Sequence, residues 1–267
     1  MSWLAAFYRA YSRLSLAIEL QYRIALLIWQ IGAVLEPTVF LVVWSAAARG
    51  NGGAVGGYTP ADFAAYYLAL LVVNRLTSTY VMWIFEGRIR EGLFSAMLLR
   101  PIHPIHADIA EQTTHNAIAF ITLVPVIGAL WLFFQPALAP PPWAALAFAP
   151  ALALAFALRF LVEWCLSLSA FWTTRTTAVN QLYFVALFFF SGISAPLSLF
   201  PGWVQAVAAL LPFRAMVAFP IELLLGRLDP ATAALGFATQ LVWIAVAYGF
   251  FAVLWRAGIR RYAGVGA

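Results

Sequence analysis

Residues 112–158 read QTTHNAIAFITLVPVIGALWLFFQPALAPPPWAALAFAPALALAFAL and contain no Asp, Glu, Arg or Lys. A helix that crosses the hydrocarbon core of a bilayer needs about 20 residues, so this interval holds two crossings. Gln135-Pro136 and Pro140-Pro141-Pro142 interrupt it, and no helix interior tolerates such a proline cluster. The reading is a pair of spans at 113–134 and 143–166 with a short loop between them.

The same reasoning, carried outward, finds the remaining spans. Residues 176–213 are uncharged and hold a span at 177–195 followed by an apolar remainder. Residues 230–255 are uncharged and hold a span at 232–255. Toward the N-terminus, 24–48 is apolar except for Glu36, which Pro37 follows. Gly50, Gly52, Gly53, Gly56 and Gly57 make the next stretch a short flexible connection. Thr59-Pro60 with Asp62 signals a helix start, and the span at 62–85 contains Asn74 and Arg75. The expected fold is all-α: one polytopic membrane domain over 1–267 with six transmembrane helices.

Composition agrees. Of 267 residues, 64% are apolar and 9% are charged, against about 45–50% and 25% in soluble domains. All 15 basic residues are Arg, which excludes a P-loop lysine and Schiff-base chemistry. ATP, if used, has to bind another chain. The net charge of +5 does not indicate a nucleic-acid partner, because the Arg residues are scattered beside apolar runs. Arg9, Arg13, Arg23, Arg88, Arg90, Arg100, Arg175, Arg256, Arg260 and Arg261 fall on one side of the expected spans, and Arg49, Arg214 and Arg227 on the other. Basic residues favour the cytoplasmic side, so both termini are expected to be cytoplasmic. Cys165 is the lone cysteine.

Two segments outside the spans carry pattern. In 1–23, Leu4, Phe7, Tyr8, Tyr11, Leu14, Ile18 and Tyr22 recur at steps of three and four. That spacing describes an amphipathic helix that lies in the headgroup layer of membrane lipid or packs on the protein itself. The loop 86–104 contains a short helix bracketed by Gly92 and Pro101. Leu93, Met97 and Arg100 share one face of it, with Phe94 and Leu98 beside them. An apolar knob flanked by Arg88, Arg90 and Arg100 suits a groove on a soluble partner; the plainer reading is an interfacial loop helix.

The run Phe85-Glu86-Gly87-Arg88-Ile89-Arg90-Glu91-Gly92, with Leu98-Leu99-Arg100-Pro101-Ile102-His103-Pro104-Ile105-His106, resembles the cytoplasmic signature of ABC-2 type transporter permeases. The length, the six spans and the N-terminal helix fit that family. The resemblance implies that the loop is a coupling helix docked on a separate ATPase subunit present in two copies, which would hold ATP and Mg. It implies Arg88, Arg90, Glu91, Leu93, Phe94, Met97, Leu98, Arg100 and Pro101 as the coupling residues. It also implies a second permease, homologous or identical, a place in the bacterial inner membrane, and an export function. Two short re-entrant helices before the last span are a further implication. Ser191–Pro196, Phe200–Trp203 and Leu211–Phe213 fit them, since Gly and Pro cut that stretch into pieces too short to span. Arg175, among Thr173, Thr174, Thr176 and Thr177, faces the ATPase in the same scheme.

Charged residues inside spans are costly and normally partnered. Arg159 and Glu163 are four apart, so an intrahelical pair is expected. Glu36 is free to be protonated or to pair with Arg159 or Arg75, and Arg75 to snorkel or to pair with Glu86. His103, His106, Asp108, Glu111 and His115 invite a metal reading. Asp108 and Glu111 are better explained as an acidic helix start, and no metal site, catalytic group or cofactor of this chain is expected. Two other functions stay open: a proton-coupled secondary carrier using Glu36, and an intramembrane lipid-modifying enzyme using Glu36, Arg159, Glu163 or the His cluster.

Overall fold

A computed structural model describes residues 2–173 and 175–262. Thr174 lies outside the described residues. All regular structure among the described residues is helical. In chain order the helices are α1 (Ser2–Gln21), α2 (Arg23–Gly50), α3 (Pro60–Thr77), α4 (Val81–Arg90), α5 (Leu93–Leu98) and α6 (Ile105–Phe134). Then follow α7 (Pro142–Ser167), α8 (Thr177–Phe190), α9 (Gly202–Leu210), α10 (Pro212–Met216), α11 (Ala218–Leu224) and α12 (Pro230–Arg261).

The helix ends follow local chemistry. Thr59 and Asp62 form a reciprocal capping box at the start of α3, with Pro60 in the first turn, which satisfies two otherwise orphaned N–H groups. Asp229 accepts from the backbone of Ala231 and Thr232 ahead of α12. α6 stops where Gln135 turns left-handed, φ 48°, before Pro136.

Five helical segments are long and apolar enough to cross a membrane: Arg23–Gly50, Pro60–Arg90, Ile105–Phe134, Pro142–Phe171 and Pro230–Arg261. Their outward faces carry Trp29, Phe133, Leu146 and Phe250, all more than half exposed. That is the surface of a protein whose solvent is lipid. α3 is the hub; Phe63 through Leu71 are all buried, as in a helix surrounded by others.

Two expected spans come out differently. The span at 177–195 ends as a helix at Phe190. Its 14 residues rise about 21 Å, short of a core about 30 Å thick. Gly192, with φ 93°, turns the chain, and the exposed carbonyls of the turn are taken up by neighbours. Tyr66 donates to Gly192 O at 2.7 Å, Tyr67 to Ser194 O at 2.8 Å, and Trp44 to Ser194 O at 3.1 Å. The span at 62–85 is not one helix. Ser78, Thr79 and Tyr80 are non-helical, and the element resumes as α4.

The apolar stretch before α12 forms three helices, none longer than nine residues. α10 and α11 bury Met216, Val217, Phe219 and Ile221 in the bundle, while α9 exposes Trp203 and Leu210.

α1 packs along α6. Tyr8 OH lies 2.9 Å from His106 Nδ1, and Glu19 Oε1 lies 2.7 Å from His115 Nδ1. Its inward stripe is Leu4, Tyr8, Tyr11, Ser15 and Glu19, and it continues into Leu26 and Gln30 of α2. Leu14, Ile18 and Tyr22, read from spacing as part of one apolar stripe, are exposed. Tyr8 and Glu19 find their partners on α6, Ser15 donates to Tyr11 O within α1 itself, and the aliphatic flank is left facing outward.

Candidate functional site

Two constructions carry the polar chemistry. The first is the loop helix. Gly92 opens α5 with φ 74°, a backbone conformation that suits glycine. Phe94 is completely buried, with ring centroids 5.2 Å from Phe85, 5.6 Å from Phe171, 6.2 Å from Trp255 and 5.6 Å from Tyr262. It therefore ties α5 to α4, to the end of α7 and to α12. Ser95 Oγ lies 2.7 Å from Tyr262 OH on the same side. Phe94, placed by spacing beside the Leu93–Met97–Arg100 face and by resemblance among the coupling residues, is buried and anchors the helix. Arg90, Glu91, Leu93, Arg100 and Pro101 are exposed, and Met97 and Leu98 are half-buried. Leu99, passed over in the sequence reading, is 88% exposed.

Arg88 points inward. Its Nη1 donates to Asp108 Oδ1 at 2.6 Å, and Asp108 Oδ2 accepts from Trp164 Nε1 at 2.8 Å. Asp108 is buried, so this bridge joins α4, α6 and α7. Glu86 accepts from the backbone and hydroxyl of Thr176 at 2.8 and 3.0 Å; it does not pair with Arg75. Arg175 is exposed.

The second construction fills the break at Ser78–Tyr80. An interrupted helix leaves backbone groups that bilayer lipid cannot satisfy. Here side chains of α6 supply them. Asn116 Nδ2 donates to Leu76 O and Ser78 O, each at 3.1 Å, and Gln112 Oε1 accepts from Tyr80 N at 3.2 Å. From the other side comes the expected pair in α7. Arg159 Nε donates to Glu163 Oε1 at 3.0 Å. Glu163 also accepts from Tyr183 OH at 2.9 Å and from Thr79 Oγ1, while Arg159 Nη1 reaches Asn74 Oδ1 at 3.1 Å. Buried charges persist where each has its partners, and Glu163, with no exposed surface, has three donors.

Glu36 stands apart. It is exposed on α2 and makes no ion pair with Arg159 or Arg75, two of the partners left open to it. It lines a cavity of about 180 Å³ together with Asn74, Arg75, Ser78 and Arg159. Arg75 Nη2 lies 2.8 Å from His115 Nε2. The residues of the metal reading are dispersed. His103 sits among Trp164, Phe251 and Trp255, His106 meets Tyr8, His115 lies between Glu19 and Arg75, and Glu111 accepts from Tyr80 OH at 2.9 Å. Among the described residues, no three His, Cys, Asp or Glu side chains form a metal-holding group.

The break itself was missed in the sequence, as were Thr79, Gln112, Asn116 and the link between Asp108 and Trp164. A signal existed. Thr77-Ser78-Thr79 is a hydroxyl run inside a span, and Gln112 and Asn116 are one turn apart at the start of the next.

No curated protein matches the chain. A sequence profile described as ABC-2 family transporter protein matches residues 34–266. That match covers the bundle from within α2 onward, with the loop helix and the broken span, so the chain belongs to the ABC-2 family of transporter membrane proteins, whose members are transport subunits and not themselves the ATPase.

Proposed function

We propose that this chain is the membrane-spanning subunit of an ATP-driven exporter in a bacterial inner membrane. It works with two copies of an ATPase subunit, which bind ATP and Mg, and with a second permease, homologous or identical. Both termini are cytoplasmic. α8, with the turn after it, makes a sixth crossing, and α9 to α11 form the re-entrant element on the outer side.

The observation that carries this reading is the division of labour in α5. Leu93 and Leu99 are exposed beside Arg90 and Arg100, while Phe94 is clamped between α4, α7 and α12. A force on the outer face of such a helix passes to α4, α7 and α12 through close-packed rings, because packed cores shift as units instead of deforming continuously. The Arg88–Asp108–Trp164 bridge carries the same force to α6.

The test is co-purification with an ABC ATPase subunit co-expressed from the same genome. Replacing Leu93 and Leu99 together by Asp is expected to abolish association while the permease still folds. Intact association and coupled hydrolysis in that variant contradict the docking assignment. Export is tested with inverted vesicles, in which ATP should drive cargo inward; uptake unaffected by ATP depletion but lost in Glu36→Gln would instead favour the proton-coupled carrier.

A further inference from the structure

A lateral groove of about 770 Å³ opens between α2 and the break in the second span. Trp29 and Gly32 of α2 and Trp83 of α4 form its walls, and Arg75, Ser78 and Tyr80 lie along its floor. Trp29 and Trp83 are 78% and 56% exposed, so the mouth faces sideways, toward lipid. Arg75 lies about 22 Å along α3 from Pro60, which puts it in the leaflet on the α5 side of a core about 30 Å thick.

The chemistry of Arg75 is incomplete. A guanidinium carries five N–H donors and no acceptor. His115 Nε2 therefore accepts from Arg75, and His115 Nδ1 carries the proton that goes to Glu19. Arg75 Nε is buried without a partner. Glu19 reaches Arg75 only through the His115 ring, and Glu36, across the neighbouring cavity, makes no ion pair with it. Nε is closed off from the groove, but Arg75 lines it and its Nη1 has no hydrogen-bond partner among the described residues. Such a cation beside an apolar, membrane-facing groove calls for an anion that carries its own apolar body. Guanidinium forks match phosphate oxygens in bidentate geometry.

We propose that this groove binds one anionic phospholipid, its phosphate on Arg75 and an acyl chain along Trp29, Gly32 and Trp83. The site does not depend on an ATPase partner or on the direction of transport.

The test uses the full-length protein, delipidated and placed in phosphatidylcholine nanodiscs, then titrated with phosphatidylglycerol and read by native mass spectrometry. One phosphatidylglycerol should be retained per chain. Arg75→Gln should weaken retention by about tenfold or more, the scale of one lost charge-assisted contact. Gly32→Phe is the second variant. A Cβ at Gly32 meets nothing within 4 Å and Gly32 lines the groove, so the backbone leaves room for a larger residue directed into it, and this variant should abolish retention with unchanged elution and thermal transition. Equal retention of phosphatidylcholine, or undiminished retention in both variants, overturns the proposal. Displacement by glycerol phosphate, which has no acyl chains, also overturns it. So does a Gly32→Phe variant that splits chain from chain when no phosphatidylglycerol is held, because the groove is then an interface between copies.

Discussion

Glu163, near the C-terminal end of α7, accepts a hydrogen bond from Thr79, the central residue of the break in the second span. The link makes the break in one helix dependent on a charge in another. Glu163→Leu strands the buried Arg159 and should cost about 3–5 kcal/mol. Thr79→Val removes one donor and should cost about 1–3 kcal/mol. Removing both charges with Arg159→Met and Glu163→Leu should recover much of the loss, since neither ion is left alone. Unfolding in mixed micelles, monitored by tryptophan fluorescence, measures all three together with Arg159→Met alone. Simple addition of the single losses in the double variant would show that the two charges do not act as a pair.

Two glycines of α12 should respond oppositely to alanine. A methyl at Gly236 would collide with the ring of Phe219, whereas one at Gly249 meets nothing within 4 Å. Overpacking a filled site typically costs about 1–3 kcal/mol, while Gly→Ala at an open helix position gains roughly 0.5–1 kcal/mol. The thermal transition should fall for Gly236→Ala and hold or rise for Gly249→Ala. A fall for Gly249→Ala would mean that another molecule packs against that face.

Phe94 and Leu93 are neighbours with opposite expected effects. Phe94→Ala empties the box formed by Phe85, Phe171, Trp255 and Tyr262 and should cost about 3–5 kcal/mol. Leu93→Ala, at a site 55% exposed, should stay within about 0.5 kcal/mol. The same unfolding assay ranks them. Equal losses would show that α5 is not anchored through Phe94.

Much of this architecture was legible before any coordinates. Uncharged intervals and proline clusters locate the long helices, because a bilayer demands length and apolarity and little else. But α6 begins at Ile105 and α12 ends at Arg261, beyond the expected 113 and 255, where polar residues continue the helices past the apolar stretch. The pairing of Arg159 with Glu163 follows from their spacing on a helix. What spacing does not reveal is which partner a polar residue finds on another helix. Arg75 met His115 and not Glu86, Asp108 turned inward to Arg88 and Trp164, and Phe94 became an anchor because α12 brought Trp255 and Tyr262 to it. The break at Ser78–Tyr80 is marked by the hydroxyl run Thr77-Ser78-Thr79, but the groups that satisfy it are not. Its cost is met by Gln112 and Asn116 from α6, and nothing in the local run of residues says they will be there.

His103 gives the chain a pH dependence with a definite sign. Its Nδ1 accepts from the backbone N–H of Ile105 at 3.2 Å, and its ring lies 4.1 Å from the Trp255 ring. Burial, and then the charge of nearby His106, push its pKa down to about 4. The geometry explains the direction, since a second ring proton on Nδ1 would face the donor N–H of Ile105 inside an aromatic box. The unfolded chain takes up that proton near pH 6.5, so between about 6.5 and 4 the unfolded state binds more protons than the folded one. The stability gained by keeping the ring neutral is complete above that window, declines as pH falls through it, and levels off below about 4. His103→Gln removes the titration while its carbonyl still offers an acceptor. The transition temperature of the parent protein should drop more steeply than that of the variant between pH 6.5 and 4, with His106 and the carboxylates common to both. Parallel profiles would place the proton elsewhere.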